Sequence, residues 1–305
     1  MTTLFVEPTA TAAPTLARPQ VIETLAEYAL ALDQVRQSGR TVGVVPTMGA
    51  LHDGHRSLIQ RAAAECDVVA VSVFVNPTQF GDASDLANYP RTLEADLLAI
   101  ASSGGRLVFA PTVAEMYPDP PGVATTSVHV PALSGRWEGA SRPGHFDGVA
   151  NVVVKLLSAA GRCRAYFGEK DFQQLALVTR VVRDLALPTE VVGCTTVRDP
   201  DGLALSSRNT RLSPTQRRAA LALSRALRAG GERVRAGGAV ADVEAEMRRV
   251  VADEPSVELD YAALVTADDL EPASTVETDR ALRLIVAATV GPVRLIDNLD
   301  PRQAP

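Results

Sequence analysis

Apolar residues follow two alternating patterns along this chain: short continuous runs, and longer segments with an apolar residue every three or four positions. The continuous runs predict strands buried on both faces of a parallel sheet, and the periodic segments predict helices. The predicted strands are residues 42–45, 68–75, 106–110, 164–167 and 189–192. The predicted helices are residues 21–37, a segment ending near residue 66, 92–103, 148–160 and a segment through 173–181. This alternation predicts a doubly wound α/β sheet with right-handed crossovers.

The pattern changes after Pro214. Two helices are predicted at residues 215–229 and 240–253, with the glycine pairs 230–231 and 237–238 between them. Three strand-like runs follow, and Gly291-Pro292 is expected to join the last two as an antiparallel hairpin. These runs are residues 257–265, 281–290 and 293–296. We therefore predict a smaller C-terminal α+β domain with its boundary near Cys194, which divides the chain into a flexible tail (1–19), a first domain (20–193) and a second domain (194–305).

Composition excludes several classes of function. The chain has 305 residues, 46% of them hydrophobic, and a net charge of −6, so a general nucleic-acid surface is not expected. It contains no apolar run of about 18 residues, so no membrane span is expected, and the N-terminal stretch does not resemble a secretory signal. The three cysteines, Cys66, Cys163 and Cys194, are far apart, which argues against a disulfide framework and suits a reducing cytoplasm.

The strongest candidate site follows the first buried strand, in the sequence TVGVVPTMGALHDGHRS at residues 41–57. Pro46 and Gly49 break the strand, and a helix then begins beside His52 and His55. A helix that starts at a strand tip directs N–H groups and a positive dipole end into the crevice, where a phosphate can bind. Two alternatives remain open, a zinc pair and two histidines that merely pack. Zinc would need further ligands, and none of the 4 histidines and 3 cysteines clusters nearby.

Polar residues also follow two other predicted strands. In open parallel sheets, ligands bind outside the carboxyl ends of the strands. Gln79 lies in the loop after the second strand, where it could hold a hydroxyl or a carboxylate. Lys170 follows Gly168 in a glycine turn that opens a helix, a position suited to a phosphate. The alternatives are an ordinary capping loop around Gln79 and a solvated lysine.

Two further segments carry clustered donors. Ser206, Ser207 and Arg208 offer two hydroxyls and a guanidinium fork, which suit a phosphate or a carboxylate. The proline-rich segment 111–146 contains Arg136, Arg142 and His145, and a loop of this length is usually functional or mobile. The alternative interpretations are a loop ahead of a helix cap for the first segment and solvated surface charges for the second.

Six segments together resemble the pantoate–β-alanine ligase (pantothenate synthetase) family, an adenylate-forming branch of the nucleotidylyltransferase-like Rossmann folds. The segments are PTMGALHDGH (46–55), VFVNPTQF (73–80), YPRT (89–92), RPGHFDGV (142–149), FGEKDFQQL (167–175) and DGLALSSRN (201–209). The histidine segment alone would indicate only the superfamily, whereas the segments at 73–80 and 167–175 narrow the resemblance to this family. One departure is Asn151, where the family is expected to have Thr. The implied fold is an α/β, doubly wound, Rossmann-like parallel sheet with a smaller C-terminal α+β domain.

The resemblance implies an ATP-dependent ligase that forms pantothenate. Pantoate and ATP would give pantoyl adenylate and pyrophosphate, and β-alanine would then attack the adenylate and release AMP. The resemblance also implies Mg²⁺ with ATP, a cytoplasmic homodimer, and a C-terminal domain that closes over the site. A nucleotidylyltransferase acting on a phosphorylated acceptor and a non-catalytic nucleotide-binding module are the competing interpretations.

The resemblance assigns roles to individual residues. His55 is the implied proton donor, and Gln79 and Gln174 are the implied substrate ligands. The residues matched to catalysis are His52, His55, Lys170, Ser206, Ser207 and Arg208. The residues matched to ATP are Pro46, Thr47, Met48, Gly49, Ala50, Leu51, His52, Asp53, Gly54, His55, Gly168, Glu169, Lys170, Asp171, Val197, Leu205, Ser206, Ser207 and Arg208.

Overall fold

The computed structural model of the chain describes residues 18–81, 83–120 and 122–302. Its strands are β1 (Gln20–Ile22), β2 (Val42–Thr47), β3 (Val68–Val73), β4 (Leu107–Phe109), β5 (Cys163–Gly168), β6 (Thr189–Cys194), β7 (Val257–Thr266), β8 (Leu282–Val290) and β9 (Val293–Leu299). Its helices are α1 (Leu25–Gln37), α2 (Asp53–Glu65), α3 (Ala83–Ala87), α4 (Leu93–Ser102), α5 (Val113–Met116), α6 (Pro131–Ser134), α7 (Glu138–Ser141), α8 (His145–Ala160), α9 (Phe172–Asp184), α10 (Pro214–Arg235) and α11 (Val240–Ala252).

The first six strands form one sheet in the order β1-β4-β3-β2-β5-β6, and every pairing in it is parallel. From β2 the chain continues to β3 and β4 on one side, and then returns to place β5 on the other side of β2. The carboxyl ends of β2 and β5 therefore flank the point where the strand order reverses, which is where open α/β sheets leave a crevice. The predicted doubly wound α/β fold is confirmed.

Helices cover both faces of this sheet, so the central strands are apolar at consecutive positions. On β2, Val44 packs into one buried cluster with Phe109 and Leu157, whereas Val45 packs into another with Ile59 and Tyr166. Neighbouring side chains of a strand point to opposite faces, so a strand with two covered faces cannot alternate apolar and polar residues. This burial explains the continuous apolar runs in the sequence.

The C-terminal segment forms a second, antiparallel sheet in the order β7-β8-β9. Helices α10 and α11 pack against it around a separate buried cluster that includes Leu227, Met247 and Val286. The predicted hairpin is confirmed, since Val290 pairs with Val293 across the Gly291-Pro292 turn. The parallel sheet ends at Cys194, where β6 ends.

Charged contacts join the antiparallel sheet to the part of the chain that forms the parallel sheet, here at helix α7. Arg294 on β9 makes a paired contact with both carboxylate oxygens of Glu138, at 2.6 and 2.7 Å, and Tyr261 on β7 donates a hydrogen bond to the same carboxylate. The Glu138 side chain is only 9% exposed, so its charge depends on these partners.

The first predicted helix, residues 21–37, is wrong at its start. Val21 and Ile22 belong to β1, which pairs with β4, and the helix begins only at Leu25. Thr24 is the reason for the later start, because its side chain accepts a hydrogen bond from the Glu27 N–H and caps α1 there.

The predicted break at Gly230-Gly231 is also wrong, because α10 runs without interruption to Arg235. Gly230 serves close packing instead, because a Cβ atom on it would lie 2.8 Å from Met247 Cγ and 3.3 Å from Leu284 Cδ1. Sequence pattern alone does not separate a helix-ending glycine from one that lets two elements approach closely.

The remaining differences are small. Helix α8 begins three residues before the prediction, at His145, and the loop-rich segment 111–146 contains the three short helices α5, α6 and α7. Residues 1–17 of the predicted flexible tail lie outside the described residues. Cys66, Cys163 and Cys194 are free and buried. Within the described ranges, no helix is both long enough and apolar enough to cross a membrane.

Gly148 lets α8 approach the loop that carries Gln79. A Cβ atom there would lie 2.6 Å from the Thr78 carbonyl carbon and 2.7 Å from the Gln79 nitrogen. Alanine normally stabilises a helix interior by about 1 kcal/mol relative to glycine, but overpacking against backbone costs about 1–3 kcal/mol. Because backbone cannot move aside as a flexible side chain can, we expect a cost at the upper end of that range. After the helix gain is subtracted, Gly148→Ala should lower the free energy of unfolding in urea by about 1–2 kcal/mol.

The control is Gly135→Ala, whose added Cβ atom would lie 4.0 Å from its nearest neighbour, the Pro131 carbonyl oxygen. We expect it to change the free energy of unfolding by no more than about 0.5 kcal/mol, as for most surface substitutions. A Gly148→Ala protein as stable as the unmodified chain would contradict the close approach of α8 and the Gln79 loop.

Candidate functional site

A cavity of about 470 Å³ lies at the carboxyl ends of β2 and β5. Fourteen of the residues that the resemblance assigns to the site line it: Pro46, Met48, His52, Gly54, His55, Gly168, Lys170, Asp171, Gln174, Val197, Leu205, Ser206, Ser207 and Arg208. These residues come from three separate segments of the chain. The fold therefore brings the donors predicted at separate positions around one space.

The turn after β2 is held in place by the buried carboxylate of Asp96. Asp96 on α4 is 2% exposed, and its oxygens accept hydrogen bonds from the Ala50 and Leu51 N–H groups at 3.1 and 2.8 Å. Gly49 lies just before them with φ +80°, which favours glycine. Two N–H groups of the predicted phosphate turn are therefore already paired within the protein. Asp96 was not predicted from the sequence, although it lies directly before the apolar residues 97–101 of α4.

His52 and His55 are oriented by the start of α2. His52 Nδ1 accepts a hydrogen bond from the Gly54 N–H at 3.2 Å, and His55 Nδ1 accepts a longer one from the His52 N–H at 3.4 Å. An accepting Nδ1 places the proton of a neutral imidazole on Nε2. Each ring therefore has an Nε2–H donor available to a ligand in the cavity that both residues line.

Both histidines are neutral at pH 7. Burial, followed by the neighbouring His52 ring, lowers the pKa of His55 to about 4. Burial and the nearby Lys170 ammonium also lower the pKa of His52. A neutral imidazole can still donate from Nε2, so the permanent positive charge of the cavity comes from lysine and arginine.

Lys170 supplies one of these charges from the next strand tip. Strand β5 ends at Gly168, and a single 3₁₀ turn, Glu169–Asp171, leads into α9. The ammonium of Lys170 lies 3.1 Å from an Asp171 oxygen, and both side chains line the cavity. Glu169 does not line it, because its carboxylate contacts Arg283 on β8 at 2.9 Å.

The serine–arginine segment forms a third wall. Ser206 caps the 3₁₀ helix Ser207–Arg211 by accepting a hydrogen bond from the Arg208 N–H at 3.3 Å. The Leu205 N–H donates to the Val197 carbonyl oxygen at 3.0 Å and ties this segment to the chain that leaves β6. Ser206 therefore caps a short helix and lies on the cavity wall. The helix cap expected after this loop is Ser213, whose hydroxyl accepts a hydrogen bond from the Gln216 N–H at 3.3 Å at the start of α10.

Gln79 lies behind the cavity wall. It is 8% exposed; its amide oxygen accepts a hydrogen bond from Asn76 at 3.1 Å, and its amide nitrogen lies 3.0 Å from the Met48 sulfur. Met48 itself lines the cavity, so Gln79 contacts the cavity lining through Met48, whereas Gln174 is itself a lining residue.

Of the three residues singled out in the segment 111–146, Arg136, Arg142 and His145, the structure brings two together. His145 Nδ1 donates to the Gln79 carbonyl oxygen at 2.8 Å, so its Nε2 accepts from Arg142 at 3.0 Å. Arg142 lines the cavity, whereas Arg136 lies 2.5 Å from Glu271 and does not line it. His145 thus connects a cavity cation to the loop of Gln79.

Other residues singled out from the sequence lie beside the cavity without lining it, namely Thr47, Gly49, Ala50, Leu51, Asp53, Glu169 and Gln79. The sequence analysis missed Thr195 and Thr196, which follow β6 directly and line the cavity. Their position at a further strand tip was the signal. Across the described ranges, no group of three or more His, Cys, Asp or Glu side chains could hold a metal ion, which bears on the zinc alternative for His52 and His55.

The chain is similar to known proteins over nearly all of its length. A family model described as pantoate-beta-alanine ligase matches residues 20–300. Pantothenate synthetase of Chelativorans sp. (strain BNC1) is 50% identical, over 93% of this chain and 98% of that protein. Pantothenate synthetase of Rubrobacter xylanophilus (strain DSM 9941 / JCM 11954 / NBRC 16129 / PRD-1) is 51% identical, over 86% of this chain and 92% of that protein.

Two solved structures share the fold. The crystal structure of pantothenate synthetase from Thermus thermophilus has a TM-score of 0.85 and 47% identity, covering 93% of this chain and all of that one. Pantoate-beta-alanine ligase from Francisella tularensis, in a complex with beta-gamma ATP and beta-alanine, has a TM-score of 0.75 and 32% identity, covering 94% of this chain and 99% of that one.

A parallel sheet whose strand tips carry paired histidines, a lysine and a serine–arginine cluster around one cavity is the architecture of a nucleotide-binding α/β enzyme. The family match and the sequence identities over most of the chain show which family within this class the chain belongs to. The chain belongs to the pantoate-beta-alanine ligase family.

The burial of His145 makes stability depend on pH. Burial, followed by the Arg142 charge, lowers its pKa from 6.5 to about 4, while the Gln79 carbonyl, Asp171 and Glu138 oppose the shift. As the pH falls from about 6.5 to 4, the unfolded state takes up this proton first, so stability is lost over that window. We expect His145→Asn, which keeps a donor for Gln79, to reduce the slope of the unfolding free energy between pH 5 and 6 by about 1 kcal/mol per pH unit.

The measurement is urea unfolding at pH 5.0, 5.5 and 6.0, with the unmodified chain alongside. A slope that stays unchanged in His145→Asn would show that His145 is not held neutral in the folded protein.

Proposed function

We propose that the chain catalyses the ATP-dependent condensation of (R)-pantoate with β-alanine to pantothenate, through a pantoyl adenylate, with release of AMP and pyrophosphate. The observation that carries the proposal is the convergence of His52, His55, Lys170 and Arg208 on one cavity at the reversal point of the sheet. The proposal is supported by sequence identities of 50% and 51% to two pantothenate synthetases over most of the chain.

The proposed site stabilises charge and orients substrates, and it needs no nucleophilic side chain. In the first step the pantoate carboxylate attacks the α-phosphorus of ATP, and negative charge grows on the phosphate oxygens. Lys170 and Arg208 offset that charge, and the Nε2–H groups of His52 and His55 donate to it; such preorganised donors are usually the largest catalytic contribution. In the second step the free amine of β-alanine attacks the acyl carbon of the adenylate. The bond between that carbon and the phosphate oxygen breaks, AMP leaves, and the nitrogen releases a proton as the amide forms.

The proposed acid subsite lies around Met48, Gln79 and Gln174. Pantoate carries hydroxyl groups beside a gem-dimethyl group, so it needs amide partners and apolar contacts together. Gln174 lines the cavity and Gln79 lies directly behind Met48. Movement of Met48 would expose Gln79 to pantoate. The Met48 side chain would then contact the methyl groups of pantoate.

The residues around the cavity fit a magnesium ion that travels with ATP. Mg²⁺ is usually bound by one or two carboxylates together with substrate phosphates and water. Asp171 and Asp85 are carboxylates on the cavity lining, and we propose that they hold the ion. When bound, the ion would neutralise part of the triphosphate charge.

The remaining proposals rest on the family resemblance. We propose that the enzyme acts in the cytoplasm as a homodimer, that residues 20–193 bind nucleotide and pantoate, and that residues 194–305 close over the cavity. Closure would shield the adenylate from water, which otherwise hydrolyses such reactive intermediates.

The deciding experiment is ATP–pyrophosphate exchange with and without pantoate, followed by AMP release on addition of β-alanine. We expect exchange only with pantoate and rapid AMP release only with β-alanine. An absence of pantoate-dependent exchange would overturn the ligase proposal, and exchange that depends on a phosphorylated acceptor would favour a nucleotidylyltransferase.

His55→Ala removes a proposed transition-state donor. We expect turnover to fall about 10²- to 10³-fold, as for other single-donor deletions, while ATP affinity changes much less. His129→Ala is the matched control, because its exposed ring pairs with Asp147 and does not line the cavity. Full turnover by a folded His55→Ala enzyme would remove His55 from the mechanism.

Gln79→Ala tests the proposed acid subsite. We expect the KM for pantoate to rise at least about 10-fold, the size of one lost hydrogen bond to substrate, with the KM for ATP little changed. Steady-state kinetics with each substrate varied in turn would check this. An unchanged KM for pantoate would exclude Gln79 as its ligand.

A further inference from the structure

A buried amide at the end of the C-terminal sheet holds the backbone of the Lys170 segment. Asn298, near the end of β9, is 4% exposed. Its amide nitrogen donates to the carbonyl oxygens of Glu169 and Lys170, both at 2.8 Å. One side chain therefore reaches across about 130 residues of sequence and fixes two consecutive peptide groups, which use both hydrogens of its amide.

Arg283 determines how this amide is turned. Its Nε donates to the Asn298 amide oxygen at 2.7 Å, and an arginine can only donate, so the oxygen must face Arg283 and the nitrogen must face the two carbonyls. Arg283 is 8% exposed, and its guanidinium lies 2.9 Å from the Glu169 carboxylate and 4.2 Å from the centre of the Phe172 ring. Glu169 precedes Lys170 and Phe172 follows it in the sequence, so contacts on both sides of Lys170 hold the Arg283 side chain in place.

The clamp formed by Asn298, Arg283 and Glu169 acts on the turn that carries Lys170. Lys170 is a flexible lysine in a short 3₁₀ turn, and its ammonium faces the cavity beside Asp171. A flexible point charge stabilises a developing charge only when the backbone that carries it is fixed. The turn receives that fixation from β8 and β9.

We propose that Asn298, oriented by Arg283, is a positioning residue for Lys170. Asn298 does not line the cavity, so it acts through the lysine. The inference rests on the proposed function for its effect on turnover, because it assigns Lys170 to the nucleotide phosphates. It adds that the C-terminal sheet, through one buried amide, sets where that charge lies.

The test is a double-mutant cycle between Asn298→Asp and Lys170→Ala. Aspartate has almost the same shape as asparagine and keeps an oxygen for Arg283, but it replaces the donor with a carboxylate oxygen facing two carbonyls. In the unmodified background we expect Asn298→Asp to lower kcat about 10- to 100-fold, since a displacement of about 1 Å has effects of that order. In the Lys170→Ala background we expect the same change to lower the residual rate less than about 3-fold.

Asp260→Asn is the matched control. Asp260 contacts Arg294 at 2.6 Å and Ser141 at 3.0 Å, so it belongs to the other contact between the sheets and does not touch the Lys170 segment. We expect its kcat to stay within about twofold of the unmodified chain, as for a partly exposed ion pair. An equal loss in Asp260→Asn and Asn298→Asp would mean that any weakened contact between the sheets slows the enzyme, and would overturn the proposal.

Two other outcomes would also overturn it: an equal loss of kcat from Asn298→Asp in both backgrounds, or an unchanged kcat in a folded Asn298→Asp protein. Asn298→Ala, which deletes the amide without adding a charge, replaces the aspartate variant in the cycle when thermal unfolding shows that the latter does not fold.

ATP binding, followed by fluorescence titration, separates this inference from the proposed function. We expect Asn298→Asp to weaken ATP binding in the unmodified background and to leave it nearly unchanged in the Lys170→Ala background. This measurement follows ATP binding alone and does not require the chain to catalyse a reaction. Failure of the proposed function would appear as missing exchange in the unmodified chain, whereas failure of the positioning role would appear as equal weakening of ATP binding in both backgrounds.

Discussion

The return of the chain from β4 to β5 is the constraint on which the site depends. It places β5 beside β2, so that the turn carrying His52 and His55 and the turn carrying Lys170 open onto the same crevice. Parallel strands all point their carboxyl ends to one edge, and only a reversal of order leaves a gap between the segments that follow two neighbouring strands. The histidines and the lysine are over 100 residues apart, and the topology alone makes them neighbours.

The site is largely organised before any ligand arrives. Backbone N–H groups that could meet a phosphate are paired with Asp96, and the imidazole Nδ1 atoms are paired with the backbone of α2. What faces the cavity is a set of side chains, with two neutral donors in His52 and His55 and fixed charges in lysine and arginine. Such an arrangement meets added negative charge without reorganisation, which is how enzymes gain most from electrostatics.

Local signals in the sequence predicted most of the fold and the main donors around the cavity, and the family resemblance supplied the other predicted lining residues. Buried parallel strands appear in the sequence as continuous apolar runs, and glycine and proline mark their ends. Because ligands bind outside the carboxyl ends of such strands, each strand end is a candidate binding position. Several of the failures share one cause, a dependence on distant parts of the chain. Gly230 looks like the end of a helix until Met247 is seen against it, and Asn298 looks like an ordinary hairpin residue until the Glu169 segment is seen beside it. The site prediction missed Asp96 for the same reason, because a buried carboxylate has meaning only with its partners.

The two sheets share buried surface as well as charged contacts. Ala263 and Val265 of β7 and Ile285 of β8 belong to the same buried cluster as Val44 and Phe109 of the parallel sheet. Unfolding of the antiparallel sheet would therefore uncover apolar side chains of the parallel one and would also remove the partners of Glu138 and Glu169. A state with one sheet folded and the other melted is disfavoured for this reason, and we expect the chain to unfold as one cooperative unit.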